Sequence, residues 1–252
     1  MRKAGWQLAK GSWQRVVLFS FAKCKLQIAN SFLFIASCLL LTPNYSCTAQ
    51  QNDFGIWASV AVKHKFSQKL SATLEEQFRF YQNATDIAQY FTDAGIEYSL
   101  SKKIKVGLCY RFINSNHQTY YSKRHRWYVD LSYKTKFSKF QFLLRTRFQE
   151  QQQDIYSSDY GYVPNWYSRN KITTKLDLNK KYMPYLSCEM FYMVSAPNTD
   201  GSFIDKMRYT VGVEYQFNRV HSLDLYYLIQ QDKNVNDPVT DFVVGIGYAF
   251  SF

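Results

Sequence analysis

The sequence predicts an all-β chain, an antiparallel transmembrane up-and-down β-barrel of about 10–12 strands, and three observations predict it. Apolar and polar residues alternate with a period of two over nearly the whole chain after Gln51, the pattern of a strand whose two faces meet different surroundings. The alternating runs are 11 to 14 residues long, whereas strands of soluble proteins average about 5–6 residues and a tilted bilayer-crossing strand needs about 9–11. Aromatic residues make up 18% of the chain, with 20 Phe, 21 Tyr and 5 Trp; barrels place such amphipathic rings in girdles at the headgroup level.

The amino-terminal segment, residues 1–49, reads as a signal peptide and residues 50–252 as the barrel domain. Phe32 to Leu41 is an apolar stretch of signal-core length, too short for a spanning helix of about 20 residues. Basic residues precede it, and Cys47-Thr48-Ala49 supplies a small-x-small pattern that places cleavage after Ala49. Two other readings stand beside this one, a lipobox at Ile35-Ala36-Ser37-Cys38 and a single anchoring helix. The basic flank is long for a signal, which also leaves the true translation start open. Arg2, Lys3, Lys10, Arg15, Lys23 and Lys25 lie in this segment without any acid, so removing it halves the net charge from +12 to +6. No basic run survives beyond it, which argues against nucleic-acid binding.

Along the barrel domain the runs follow in order at 54–66, 69–81 and 88–100, then 103–115, where Ile104, Val106, Leu108, Tyr110 and Phe112 alternate with Lys105, Gly107, Cys109 and Arg111. In 124–134 the outer set is His125, Trp127, Val129, Leu131 and Tyr133. Runs at 139–151, 166–178 and 182–195 precede 207–217, in which Tyr209, Val211, Val213 and Tyr215 alternate with Arg208, Thr210, Gly212 and Glu214. The chain closes with 221–231 and a final run ending in Tyr248, Phe250 and Phe252. Glu76 breaks the second run by falling between Leu74 and Phe78 on the apolar side, and a β-bulge there would restore the register. Short turns at 67–68, 101–102, 137–138, 179–181 and 218–220 alternate with longer loops at 82–87, 114–122, 152–165, 196–203 and 232–239. That asymmetry matches short periplasmic turns and long external loops. Eleven runs are legible, whereas two periplasmic ends require an even number. Either 54–66 does not span or a twelfth strand lies in 152–165; ten and twelve both fit, and twelve is preferred.

If the apolar set faces lipid, the other set lines the lumen. It carries Glu75, Arg79, Asp93, Glu97, Arg111, Arg126, Asp130, Arg145, Arg147, Lys171, Lys175, Glu189, Arg208, Glu214 and Asp224. Both signs recur on neighbouring strands, so the charges can satisfy one another across a barrel wider than the side-chain-filled eight-stranded case. Leu143, Phe191, Leu228 and Val243 share this face and imply a partly packed interior.

Catalytic chemistry finds little support. His64, His117, His125 and His221 are the four histidines; Ser122 and Asp130 flank His125 on one run, but five strand residues span about 17 Å, too far for a triad. Neither a G-x-S-x-G elbow nor an H-E-x-x-H pair occurs, and no metal or cofactor site is expected. Cys109 and Cys188 fall on opposite faces by parity, so no disulfide is expected between them.

Asp53-Phe54-Gly55-Ile56-Trp57, the segment from Leu74 to Phe80, Asp93-Ala94-Gly95-Ile96-Glu97-Tyr98, the segment from Arg124 to Asp130, and Arg145-Thr146-Arg147-Phe148-Gln149 together resemble one uncharacterised family. It consists of small exported outer-membrane barrels typical of Bacteroidota-type Gram-negative bacteria and is known only as a domain of unknown function. The resemblance covers about residues 51–252 and implies location and architecture, with no catalytic residues to carry over. Separately, Tyr248-Ala249-Phe250-Ser251-Phe252 resembles the terminal aromatic signal read by barrel-assembly machinery, which makes that machinery and outer-membrane lipid the expected partners. The expected role is structural or accessory, with a salt-bridged lumen and no enzyme activity. The alternatives are a narrow passive channel for small polar solutes and a lipid-modifying barrel enzyme.

Overall fold

The computed structural model describes residues 51–252 apart from 118–119, 154–163, 180, 196–202 and 236. The chain divides into two units, 1–48 and 49–252. The leader, the cleavage position after Ala49 and the lipobox all lie outside the described residues, as does most of the 152–165 loop.

Eleven strands form among the described residues: β1 (Gln51–Lys65), β2 (Leu70–Tyr81), β3 (Asp86–Ser99), β4 (Ile104–Asn116), β5 (Tyr121–Phe137), β6 (Phe140–Gln153), β7 (Asn165–Leu176), β8 (Tyr182–Ser195), β9 (Phe203–Gln216), β10 (His221–Asp232) and β11 (Val239–Ser251). Each pairs antiparallel with its sequence neighbours, and β1 returns to β11 to close the barrel. This corrects the preference for an even number of strands. β1 is a full strand of 15 residues, and it runs parallel to β11 in register from Gln51 opposite Val239 to Lys63 opposite Ser251. The reason is directional. With an odd number of up-and-down strands the first and last point the same way, and a parallel ladder satisfies their backbone groups as an antiparallel one would. Gln51 therefore starts at the rim of the longer loops, and Phe252 ends at the rim of the short turns.

The turns are built from local side-chain caps. Ser67 Oγ accepts from the backbone N–H groups of Lys69 and Leu70 at 3.2 and 3.0 Å, and Ser101 does the same for Lys103 and Ile104. Asn218 Oδ1 accepts from Val220 and His221 N–H, both at 2.8 Å. The β2–β3 loop is more strained, since Gln82, Asn83 and Ala84 all adopt positive φ near 60°. Asp53 holds it: its carboxylate accepts from Gln82 N–H at 2.9 Å and Asn83 N–H at 3.0 Å, using the oriented amides as an anion cradle.

The outer wall is apolar. Val60, Leu74, Ile96, Leu108, Leu131, Leu144, Leu186 and Val211 are all exposed on it. Aromatic rings collect towards both ends, with Phe137, Phe140, Tyr182, Phe217 and Phe252 at the short-turn rim and Phe78, Tyr121, Trp127 and Phe148 towards the loop rim. Glu76 is the exception foreseen in the sequence, but the repair differs from expectation. The β2–β3 register runs unbroken from Leu70 to Arg79 and shifts only between Arg79 and Phe80. Glu76 thus stays on the outer wall, where its Oε1 accepts from Thr92 Oγ1; a hydroxyl opposite it on β3 makes a bulge unnecessary.

Inside, Trp57, Leu228 and Val243 form a small apolar core with Tyr81 and Tyr226 packed on it. Glycine makes room for the inward rings. A Cβ at Gly245 would lie 2.0 Å from the Tyr226 ring, and one at Gly212 would lie 2.7 Å from the Tyr185 ring. Each tyrosine is the cross-strand partner of its glycine, so each ring lies flat on its neighbour's backbone.

Asp53→Ala is expected to lower the unfolding free energy by about 0.5–1.5 kcal/mol, the net worth of a hydrogen bond to amides that water can otherwise reach. Urea titration of the folded chain in vesicles measures it, and an unchanged midpoint would show that the cradle is not needed.

Candidate functional site

The period-two pattern makes every second residue of each strand an inward one, so the lumen inherits the polar half of the sequence. Its central chamber has a volume of about 300 Å³ and is walled by ten of the residues expected there: Glu75, Arg79, Asp93, Arg111, Arg145, Arg147, Lys171, Glu189, Arg208 and Asp224. A second chamber of about 230 Å³ lies towards the loop rim; Arg126 lines it, together with Arg79, Arg111, Arg169 and Arg208, which border both. The remaining four expected residues join through ion pairs. Glu97 accepts from Lys63 at 3.0 Å and Lys105 at 2.7 Å, Asp130 receives both Nε and Nη2 of Arg147 at 2.7 Å, and Lys175 pairs with Glu214.

The central network is dense. Asp93 Oδ2 accepts from Arg111 Nε at 2.8 Å and from Tyr128 Oη at 2.5 Å, which ties β3, β4 and β5 together. Glu189 is the other hub. It accepts from Arg145 at 2.7 Å and Arg169 at 2.8 Å, with Arg208 at 3.8 Å. Tyr185 Oη donates to Asp224 at 3.0 Å across β9. Guanidinium planes lie over aromatic faces throughout: Arg79 is 3.8 Å from the Trp57 centroid, Arg111 3.9 Å from Phe91, Arg147 3.6 Å from Tyr128 and Arg169 4.1 Å from Phe191. Such stacking adds attraction where water is scarce. Phe191, Leu228 and Val243 are buried inside as parity implied, and Leu143 is half-buried.

Several members escaped the sequence reading. Arg169 shares the parity of Lys171 and Lys175, so its signal was present and passed over. Lys105 alternates with the apolar set of its run and Lys63 sits on the inward parity of β1 near the short-turn rim; both pair with Glu97, a partnership the alternation does not reveal. Tyr128 and Trp57 were aromatic residues on a polar face, with nothing in the alternation to mark them as supports for arginine.

Three histidines sit outside this network, while His117 Nε2 lies 3.5 Å from Arg124 Nη2 near the loop rim. His125 is on the outer face of β5, its Nδ1 2.6 Å from Tyr110 Oη and its ring against Phe112, while Asp130 faces the lumen. His64 packs on Phe252 and His221 on Phe250 at the short-turn rim. Cys109 and Cys188 are free, and Cys109 lies over Gly95 on the inner face. Among the described residues no group of His, Cys, Asp or Glu is arranged to hold a metal ion. A concavity of about 780 Å³ is an apolar groove of the outer wall over Leu186, Val211, Val213 and Leu225, away from the charged groups.

The sequence matches the family model described as "Protein of unknown function (DUF2490)" over residues 54–241. The chain belongs to this family. The match takes in β1 to β10 and the start of β11, hence nearly the whole barrel and both lumen hubs. No curated protein matches the sequence. Among solved structures the barrel is similar to the translocator domain of autotransporter NalP from Neisseria meningitidis, at 10% identity over 67% of this chain and 70% of that one, with a TM-score of 0.41. It is also similar to the β domain of the Bordetella autotransporter BrkA, at 8% identity over 73% of this chain and 82% of that one, with a TM-score of 0.42.

Removing Glu189 leaves a cluster of arginines without its carboxylate, and breaking a buried ion pair from one side costs about 3–5 kcal/mol. Glu189→Ala should therefore lower barrel stability by that order in a denaturant titration. A loss below about 1 kcal/mol would show that solvent, and not Glu189, balances those cations.

Proposed function

We propose that this family member spans the outer membrane as a structural or accessory barrel whose lumen is closed by its own charged network. The observation that carries the reading is the burial of the central charges. Glu189 is 4% exposed, Arg169 5% and Arg147 6%, values of a packed interior and not of an open aqueous pore. The apolar outer wall and its two aromatic zones support a bilayer surrounding. The reading includes export by a leader cleaved after Ala49, insertion by barrel-assembly machinery through the terminal Phe252, and exposure of the longer loops to the outside. No enzymatic step is part of it.

A second reading, a narrow channel for small polar solutes, is favoured by one specific feature. The two chambers share Arg79, Arg111, Arg169 and Arg208, so rotation of those side chains alone would join them. Cation excess along that route would make such a channel prefer anions.

Planar-bilayer recording of the full chain, shown to be folded by its heat-modifiable gel mobility, separates the two. The closed barrel gives no discrete conductance steps at any salt concentration. Steady, salt-dependent steps would overturn the closed reading in favour of the channel.

A further inference from the structure

The two chambers differ in how their cations are balanced. Deeper in the lumen arginines and lysines meet carboxylates, as with Arg111 and Asp93 or Arg147 and Asp130. In the loop-side chamber Arg111, Arg169 and Lys206 keep carboxylate partners, but the other arginines that meet a side-chain acceptor there meet amides. Arg79 donates to Gln77 at 2.9 Å and to Gln89, Arg126 donates to Gln151 at 3.0 Å, and Arg208 donates to Gln230 at 2.7 Å. Among the described residues Arg79, Arg124 and Arg126 enter no ion pair, and Arg208 reaches a carboxylate only at 3.8 Å, on the already crowded Glu189. Arg124 Nε is buried with no hydrogen-bond partner, and its Nη2 lies 3.5 Å from His117 Nε2, a neutralising carboxylate being absent from both contacts. The acid on the chamber wall, Asp205, sits beside Lys206, which also pairs with Asp232.

We propose that this chamber binds a small multivalent oxyanion of the phosphate class, held by Arg79, Arg124, Arg126 and Arg208. A glutamine carbonyl oxygen aims a guanidinium without cancelling its charge, so the forks are fixed in place and left positive. Several like charges enclosed without counter-ions are costly. A multivalent anion removes that cost and accepts the paired N–H groups for which guanidinium geometry is suited. The volume of about 230 Å³ admits a compact anion and excludes a polymer. Strands on every side separate the chamber from lipid, so the anion arrives from the aqueous rim. The inference goes beyond the closed-barrel reading and needs only a folded barrel.

The test uses the full chain folded in phosphatidylcholine vesicles and inorganic pyrophosphate at ionic strength held constant with chloride. Pyrophosphate is expected to raise the thermal unfolding midpoint above the chloride control. Arg124→Gln combined with Arg126→Gln should fold, should be at least as stable as the parent without pyrophosphate, and should bind it at least about tenfold more weakly, the loss of one charged hydrogen bond or more. A midpoint that pyrophosphate leaves at the chloride value would overturn the proposal. So would undiminished affinity in the double variant, or a double variant destabilised in the absence of anion, which would make these arginines structural. Vesicles containing diphosphorylated lipid A and no added pyrophosphate should give no rise; a rise there would overturn the aqueous source and assign the contact to a headgroup at the rim.

Discussion

In the bilayer setting proposed above, the constraint on which the rest depends is backbone satisfaction in a sheet surrounded by hydrocarbon. An unpaired N–H or C=O facing lipid costs several kcal/mol, so a sheet in that setting has no tolerable edge and must close. Closure fixes everything downstream. It gives each strand one apolar and one enclosed face, and it sets the width of the enclosed space. It also brings into contact side chains that no local rule relates. The parallel β1–β11 seam follows from the same demand: with eleven strands the remaining two edges meet head to head and pair as they are.

Enclosure then decides what the polar half of the sequence can do. Charges on the inner face are removed from bulk water by the wall while being crowded against one another. The central tier answers with two carboxylate hubs, Asp93 and Glu189, each shared by donors from several strands. Tyrosine and tryptophan rings fill the gaps and bear guanidinium planes on their faces. Around Arg79 and Arg126 in the loop-side tier, glutamines in place of acids retain the positioning hydrogen bonds and give up the neutralisation. The same residue types therefore serve packing at one depth and leave a field at another.

Much of this was legible in the sequence, and the boundary of legibility is physical. Strand positions follow from alternation, which is local, and inward identities follow from parity, so residues as far apart as Glu75 and Asp224 could be assigned to one enclosed face. Strand count was less accessible, because the rule of even numbers concerns where the ends go and not how the edges pair. Glu76 was read as needing a bulge because its partner Thr92 belongs to the next strand. The contact from Tyr128 to Asp93 skips a whole strand, and such pairs depend on curvature, which one-dimensional patterns do not carry. The glutamine partners of Arg79, Arg126 and Arg208 were likewise invisible, since Gln77, Gln89, Gln151 and Gln230 read as ordinary polar positions on four different strands.

The seam has a temporal side. Ten of the eleven ladders join strands adjacent in sequence, so each can zip from its own turn after a short loop closure. The last ladder pairs Gln51 with Val239 and must bring together the two ends of the domain, at an entropic cost that grows with the logarithm of the enclosed length. Without that ladder the sheet has two bare edges, β1 and β11. Of the eleven ladders this one therefore carries the largest closure cost, and anything that shields β1 and β11 before they meet would keep the sheet from pairing with the wrong neighbour.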